Sequence, residues 1–409
     1  MNTVTKRILS VILGFFIIVF LLPQNVPIIS AATNATVYEY SPMLEDSGNI
    51  YYIQRVEGTE YSYDIYRLEI ATGNKTRLLS SKYDISGMML HNDTLYYTSY
   101  DGEKDVDRTY SVSIDGKDKK TICNGAFLCL DDSGIYYTVT KGKNSKLYKR
   151  TYDSKKGTLI YTGNTSFAFV KNLDGTLYFT QFNETSSKLT LYTLAPEQKK
   201  LAVLTTDKLD GSEQMIPMVS DIIEINGGIY YQYGTHEGSG NFWYGTLMKF
   251  DSATNKKSVI VKQLYEEQIY HNDSSIFYNG TESSEKHYRY NTKTGKTSSY
   301  VYKITGTESF NILGDETYCA KADGKELITI SRFTSGTNQS NLVKSFINLS
   351  YKQKKEYSYS ACVKKYGNYL LIPVTCMDYN DNSYGWRGRC VSITWYVADS
   401  DGKILTQFQ

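Results

Sequence analysis

The chain has 409 residues, with 45 Lys and Arg against 43 Asp and Glu, for a net charge of +2. So even a balance provides no basic stripe of the kind a nucleic-acid surface needs. Tyr is used heavily, at 39 residues, and with Thr, Val and Ile it favours pleated, half-buried strands.

Residues 1–32 read as a signal peptide. Lys6 and Arg7 give a positive start, Ile8 to Leu22 carry no charge, and Ser30-Ala31-Ala32 offers small residues for cleavage. The apolar run is short for a span, which takes about 20 residues. No Cys follows it directly and no second run of spanning length occurs. The expectation is a mature chain, residues 33–409, that is exported, monomeric and without a membrane span.

After Ala32 one pattern repeats: a Gly, Asn or Asp turn, a small apolar residue, a pair of aromatics, a polar loop, an alternating run, a second turn and a last apolar run. The pairs are Tyr51-Tyr52, Tyr96-Tyr97, Tyr136-Tyr137, Tyr178-Phe179, Tyr230-Tyr231 and Phe277-Tyr278, with decayed copies at Tyr318-Cys319 and Leu370-Leu371. Steps of 40 to 52 residues between them fit four-stranded propeller blades. In the second repeat the strands are expected at Ile85 to Leu90, Leu95 to Thr98, Thr109 to Ile114 and Lys120 to Cys123. In the third they fall at Phe127 to Leu130, Ile135 to Thr138, Lys146 to Tyr152 and Thr158 to Tyr161. Turns such as Thr72-Gly73-Asn74-Lys75 and Asp115-Gly116-Lys117 supply the positive φ of tight hairpins.

Helical periodicity is nearly absent, and no crossover long enough for a parallel sheet appears. The fold class is therefore all-β: a single β-propeller of four-stranded antiparallel blades over residues 33–409. Eight repeats predict eight blades. The seventh is degenerate, with Gly324 in a short turn and an irregular insert at Ser335 to Asn341, and seven is the alternative. Val37 to Tyr40 is open to two readings, as the first inner strand or as an outer strand completing the last blade.

Leu95-Tyr96-Tyr97-Thr98 followed by Ser111-Val112-Ser113-Ile114-Asp115-Gly116, with Ile135-Tyr136-Tyr137-Thr138 and Ile65-Tyr66-Arg67-Leu68, resembles the YWTD propellers of low-density-lipoprotein-receptor type. More narrowly, the chain is similar to secreted bacterial proteins carrying a YWTD-like domain of unknown function, the 5050 type. Tyr or Phe replaces the motif's Trp, its Asp is missing, and receptor-type propellers have six blades. The resemblance implies fold and export, and no activity.

Catalytic and metal signatures are not found. The four His, at positions 91, 236, 271 and 287, lack zinc spacing, and no nucleophile elbow appears. Asp378-Tyr-Asn380-Asp-Asn382 alternates oxygens like the start of a calcium loop, but Ser383 and Arg389 stand where Gly and Glu are needed. No metal or cofactor is expected. Among the six Cys, Cys376 and Cys390 flank the mouth of one hairpin and are expected to form a disulfide.

Two long loops carry the binding expectation. Tyr233 to Gly245 holds Phe242, Trp243 and Tyr244, and Met377 to Arg389 holds Tyr379, Tyr384, Trp386 and Arg387. Both join a second strand to a third, so they should share one face. Long loops on a rigid scaffold carry function, and Trp, Tyr and Arg dominate binding hot spots. The favoured reading is a secreted, non-catalytic module binding an extracellular protein or glycan. The alternatives are a glycan hydrolase or lyase acting at the central channel, and a structural cell-surface protein.

Overall fold

The computed structural model describes residues 37–41, 43–56, 62–104, 106–141, 144–164, 167–196, 198–209, 215–237, 243–264, 269–279, 287–300, 310–322, 327–336, 340–347, 357–378 and 389–409. Val37–Gln409 form one compact unit.

Its strands are all-β and antiparallel, in sheets of four consecutive strands joined in chain order. The second runs Asp84–His91, Thr94–Asp101, Val106–Ser113 and Lys120–Asn124, and the third Ala126–Asp131, Gly134–Lys141, Asn144–Arg150 and Thr158–Gly163, close to the expected spans. Counted as regular blades the sheets number seven, the alternative that the repeats left open. Counted as hydrogen-bonded ladders they number eight. We name them by ladder, because an apolar seam separates each from the next. The degenerate seventh repeat is a complete sheet, its insert reduced to a connection between Leu327–Thr334 and Ser340–Ile347.

Hairpin turns set the register. Asn92 and Asp93, at φ 44° and 57°, both take left-handed backbone between the first two strands of the second sheet, as a two-residue hairpin requires. Gly116 has φ +82°, and a Cβ there would lie 2.8 Å from the Leu78 carbonyl oxygen in the first sheet. This turn therefore needs glycine for its dihedral and for its approach to a neighbour.

The aromatic pairs explain why the sheets can stack. Neighbouring residues on a strand point to opposite faces, so each pair sends one ring into each flanking seam. Tyr97 packs with Leu44, Tyr51 and Met88 between the first and second sheets. Tyr96 packs with Phe127 and Tyr136 on the other side, in a cluster that continues to Phe179 in the fourth sheet. Tyr178 and Tyr231 meet between the fourth and fifth, and Tyr230 and Tyr278 between the fifth and sixth. Phe277 meets Phe333 in the next seam, and Tyr318 meets Tyr396 in the seam after it.

The eighth pair corrects the sequence alignment. In each of the other sheets the pair begins at the third residue of the second strand, as in Asn49–Arg55 and Thr94–Asp101. In Tyr369–Asp378 that position is Leu371. Leu371 enters the seam with the first sheet, whereas Leu370 and Ile372 enter the seam with the seventh. The equivalent pair is Leu371-Ile372, not Leu370-Leu371.

Outer strands carry a second regularity. Seven of the eight pair with the third strand through a register shift, and the single extra residue is Leu78, Ile122, Ile160, Leu204, Ile260, Val343 or Leu405. A bulge bends the strand and re-aims a side chain. Leu78, Ile122, Ile160, Leu204 and Ile260 all pack against a seam.

Two findings concern closure. The last sheet is completed by its own strands: Tyr357–Ala361 and Lys364–Tyr366 share the inner edge of Tyr369–Asp378, and Arg389–Asp399 and Ile404–Phe408 follow. Among the described residues no strand is exchanged with the first sheet (Met43–Asp46, Asn49–Arg55, Tyr63–Glu69, Lys75–Ser81). The two meet through Leu371, Val397 and Phe408 against Ile50, Tyr52 and Leu68.

Val37–Ser41 takes neither place expected for it. It adds to the inner edge of Asp84–His91 in the second sheet, with Val37 opposite Leu90 and Ser41 opposite Met88. It also lies against the inner strands Ala126–Asp131 and Phe167–Leu173, so it runs on the axial side. The ladder is irregular and has two aligned pairs. Backbone hydrogen bonds contribute about 0.5–1.5 kcal/mol each, and ordering a residue costs about 1–2 kcal/mol. On that balance the strand is held marginally.

Candidate functional site

At the seam between the eighth and first sheets the apolar packing opens into an aromatic cleft. Its volume is about 190 Å³, and Tyr52, Tyr366, Trp395 and Phe408 line it with Gln54 and Gln409. Lys364 stands at its edge and none of the lining residues is a carboxylate. Drug-sized ligands fill about 300–1,000 Å³. This cleft would take one ring or one side chain of a larger ligand.

Local structure fixes the rings. Tyr52 is the second member of its aromatic pair, so it faces this seam, and Phe408 is the last residue of the outer strand. Their centroids are 4.6 Å apart, and Phe408 stacks on Trp395 at 6.2 Å with an 8° interplanar angle. On the other side Tyr52 stacks on Tyr66 at 5.6 Å. The Lys75 ammonium lies 4.0 Å from the Tyr66 centroid and 5.3 Å from that of Tyr52, within cation–π range. Burial lowers the Lys75 pKa, opposed by the Asp64 carboxylate.

Polar groups at the cleft form a chain. Lys75 Nζ donates to Gln54 Oε1 at 2.9 Å, Gln54 Nε2 donates to the Gln409 carbonyl at 3.1 Å, and Gln409 Nε2 donates to Thr394 Oγ1 at 3.1 Å. One group is left over. Tyr52 is 4% exposed, and its hydroxyl oxygen is buried without a hydrogen-bond partner among the described residues. Burial raises its pKa well above the ordinary phenol value, so it stays a neutral donor. A buried hydroxyl without a partner costs about 1–3 kcal/mol.

The cleft sits below one of the two loops singled out from the sequence. Asp378 opposite Arg389 marks the root of that loop, and Pro373 opposite Trp395 lies further down the same ladder. Between them Val391 and Ile393 are each 42% exposed. Tyr379, Tyr384, Trp386 and Arg387 themselves lie outside the described residues, as does Phe242. In the fifth sheet the hairpin extends to His236 opposite Trp243 and Thr235 opposite Tyr244. Both loops therefore grow from second-to-third connections, which emerge at one end of the sheets in a propeller. The sequence reading missed Tyr52, Trp395 and Phe408. The available signal was the third Trp, placed on a strand rather than in a loop.

The expected Cys376–Cys390 pairing is not made: both thiols are free, Cys376 buried and Cys390 exposed. A register shift puts Met377 opposite Cys390 and Ser392 opposite Cys376. The bulge at Val391 offsets the two Cys, which accounts for the difference from a regular hairpin mouth.

Polar residues on the inner strands are arranged differently. Asp221 is buried and accepts from Lys171 Nζ at 2.8 Å and from the amides of Ile222 and Ile269, both at 2.8 Å. It ties the fourth, fifth and sixth sheets together. Burial, and then the Lys171 charge, lower the pKa of nearby His271. With both oxygens bonded, Asp221 serves as a structural clamp. Among the described residues no His, Cys, Asp and Glu gather as a metal site.

No protein-family description matches the chain, and no curated protein matches it. Solved structures match its fold. Dipeptidyl peptidase 4 of Porphyromonas gingivalis aligns with a TM-score of 0.51 and 9% identity over 93% of this chain and 60% of that one. A prolyl endopeptidase aligns at 0.50 and 13% identity, over 90% of this chain and 55% of that one. The β-propeller domain of the trilobed protease from Pyrococcus furiosus aligns at 0.46 and 10% identity, over 90% and 98%. The chain is a β-propeller. It spans little more than half the length of the two peptidases. Identities this low carry the fold of this propeller and nothing of the peptidases' chemistry.

Proposed function

We propose that the chain is an exported, non-catalytic propeller that binds an extracellular glycan or protein through the face bearing its aromatic second-to-third loops. In this reading the cleft of Tyr52, Trp395 and Phe408 receives one ring of the ligand, and Phe242, Trp243, Tyr244, Tyr379, Tyr384, Trp386 and Arg387 form the wider contact surface. The observation that carries it is the cleft lined by the packed rings of Tyr52, Phe408 and Trp395 and by two amides. Flat apolar faces with amide donors and acceptors suit sugar rings and aromatic side chains alike. We further assign the repeats to the YWTD-like class on their apolar-Tyr-Tyr-Thr strands, and residues 1–32 to a cleaved export signal. The mature chain, beginning at Thr33, is then monomeric.

The test is a glycan and peptide array probed with the mature chain, followed by titration of any hit. Trp395→Ala should weaken a confirmed ligand at least tenfold, and Tyr52→Phe by about three- to tenfold, with both variants folded. Unchanged affinity in both removes the cleft from the site. Unchanged affinity in Trp243→Ala and Trp386→Ala removes the loops. The channel-enzyme reading is less supported, because Asp221 is spent on Lys171 and two amides.

A further inference from the structure

The axial edge of the second sheet is unlike the others. Inner strands present their free edge to the axis, and an unpaired edge is a template for another strand. Among the described residues, Asp84–His91 is the only inner strand whose axial edge is paired, and its partner is the chain's own Val37–Ser41. That partner belongs to no blade: the first sheet already has its four strands from Met43 onward. It touches the inner strands of the third and fourth sheets as well, so a strand placed here is held on more than one side. Its ladder is irregular, with two aligned pairs. The acceptor strand itself changes register between Ile85 and Met88 in its pairing with the second strand.

We propose that the axial edge of Asp84–His91 is a strand-acceptor site for an extended peptide, occupied in this structure by Val37–Ser41. The ligand is an unfolded polypeptide segment running antiparallel to Asp84–His91, as Val37–Ser41 does. Backbone hydrogen bonds supply affinity, and alternating side chains supply selectivity. The sequence Val-Tyr-Glu-Tyr-Ser gives the pattern, with Tyr at alternate positions. A partner in trans must compete with a cis strand whose effective concentration is millimolar for a short link. The site therefore answers to abundant or tethered segments.

The experiment uses the full chain and a labelled peptide of the sequence of residues 35–42, followed by fluorescence anisotropy. A Val37→Cys, Leu90→Cys double variant places two thiols on an aligned pair and gives a reversible lock, verified by mass. We expect saturable binding to the wild type and the reduced variant. Binding should be at least tenfold weaker after oxidation and should return with dithiothreitol. A peptide N-methylated at alternate amides should also bind at least tenfold more weakly. Equal binding to locked and reduced protein, or to the N-methylated peptide, overturns the proposal, as does no saturable binding to the reduced protein. If the lock does not form, hydrogen exchange on the wild type decides. Amides of 37–41 should exchange at least a hundredfold faster than those of Thr94–Asp101, and equal rates overturn the exchangeable strand.

Discussion

The seam running through the second, third and fourth sheets and the seam joining the eighth to the first are built from the same repeat, yet they end differently. In the former, Tyr96, Tyr136 and Phe179 are closed over by the bulged residues Ile122 and Ile160 of the outer strands. In the latter, the bulged residue Leu405 is 38% exposed, and Tyr52, Phe408 and Trp395 border a cleft. Adjacent repeats in chain order are joined covalently, whereas the first and last meet through side-chain packing and the Gln54–Gln409 hydrogen bond. The difference teaches that closure between the last and first sheets leaves a gap where two amides and three rings meet.

The largest effect should come from breaking the filled seam. Phe179 is fully buried between the third and fourth sheets, and Phe179→Ala should cost about 3–5 kcal/mol, read from chemical unfolding. Phe408→Ala removes a ring of the same size from the open seam, and there we expect about 2–3 kcal/mol, because one side of the ring already borders a cleft. Equal losses would mean that the eighth–first seam is packed like the others and that the cleft is not a gap in closure.

A smaller effect tests the seam between the sixth and seventh sheets. His287 is buried and stacks on Tyr300 at 5.5 Å, and desolvation pushes its pKa down from 6.5 to about 4. Between those values the unfolded chain holds a proton that the native chain does not, so stability falls as pH drops from 6.5 toward 4. Urea midpoints at pH 7 and pH 4.5 should separate less in His287→Gln than in the wild type. An unchanged separation would place the acid sensitivity elsewhere.

Much of this architecture was legible in the residues. The aromatic pairs encode two seams at once, since period-two alternation sends one ring each way, and their spacing marked the second strands of the sheets. Leu370-Leu371 misled because an all-aliphatic stretch carries no internal mark of register; the turn at Gly367-Asn368 fixes it instead. The fate of Val37–Ser41 was not legible, because alternation says that a segment is a strand and is silent on whose edge it joins. The cleft was hidden for the same reason. Trp395 and Phe408 face each other on neighbouring strands, but Tyr52 is separated from both by most of the chain, and only ring closure brings it to them.

The smallest effect separates the two seams most cleanly. Leu78 and Leu405 are the bulged residues of the outer strands in the first and eighth sheets, Leu78 at the step between Ile65 and Tyr66 and Leu405 at that between Val397 and Ala398. Leu78 is 6% exposed and packs with Tyr51 and Tyr97, whereas Leu405 is 38% exposed. Truncating a buried leucine costs about 2–5 kcal/mol, and substitutions at exposed positions stay within about 0.5 kcal/mol. Leu78→Ala should therefore lower the unfolding midpoint clearly, at the low end of that range because the site borders the rim, while Leu405→Ala should barely move it. Both are leucines at a bulge of an outer strand, so the comparison sets a filled seam against an exposed rim. A large loss in Leu405→Ala would show that the eighth–first seam depends on its outer strand.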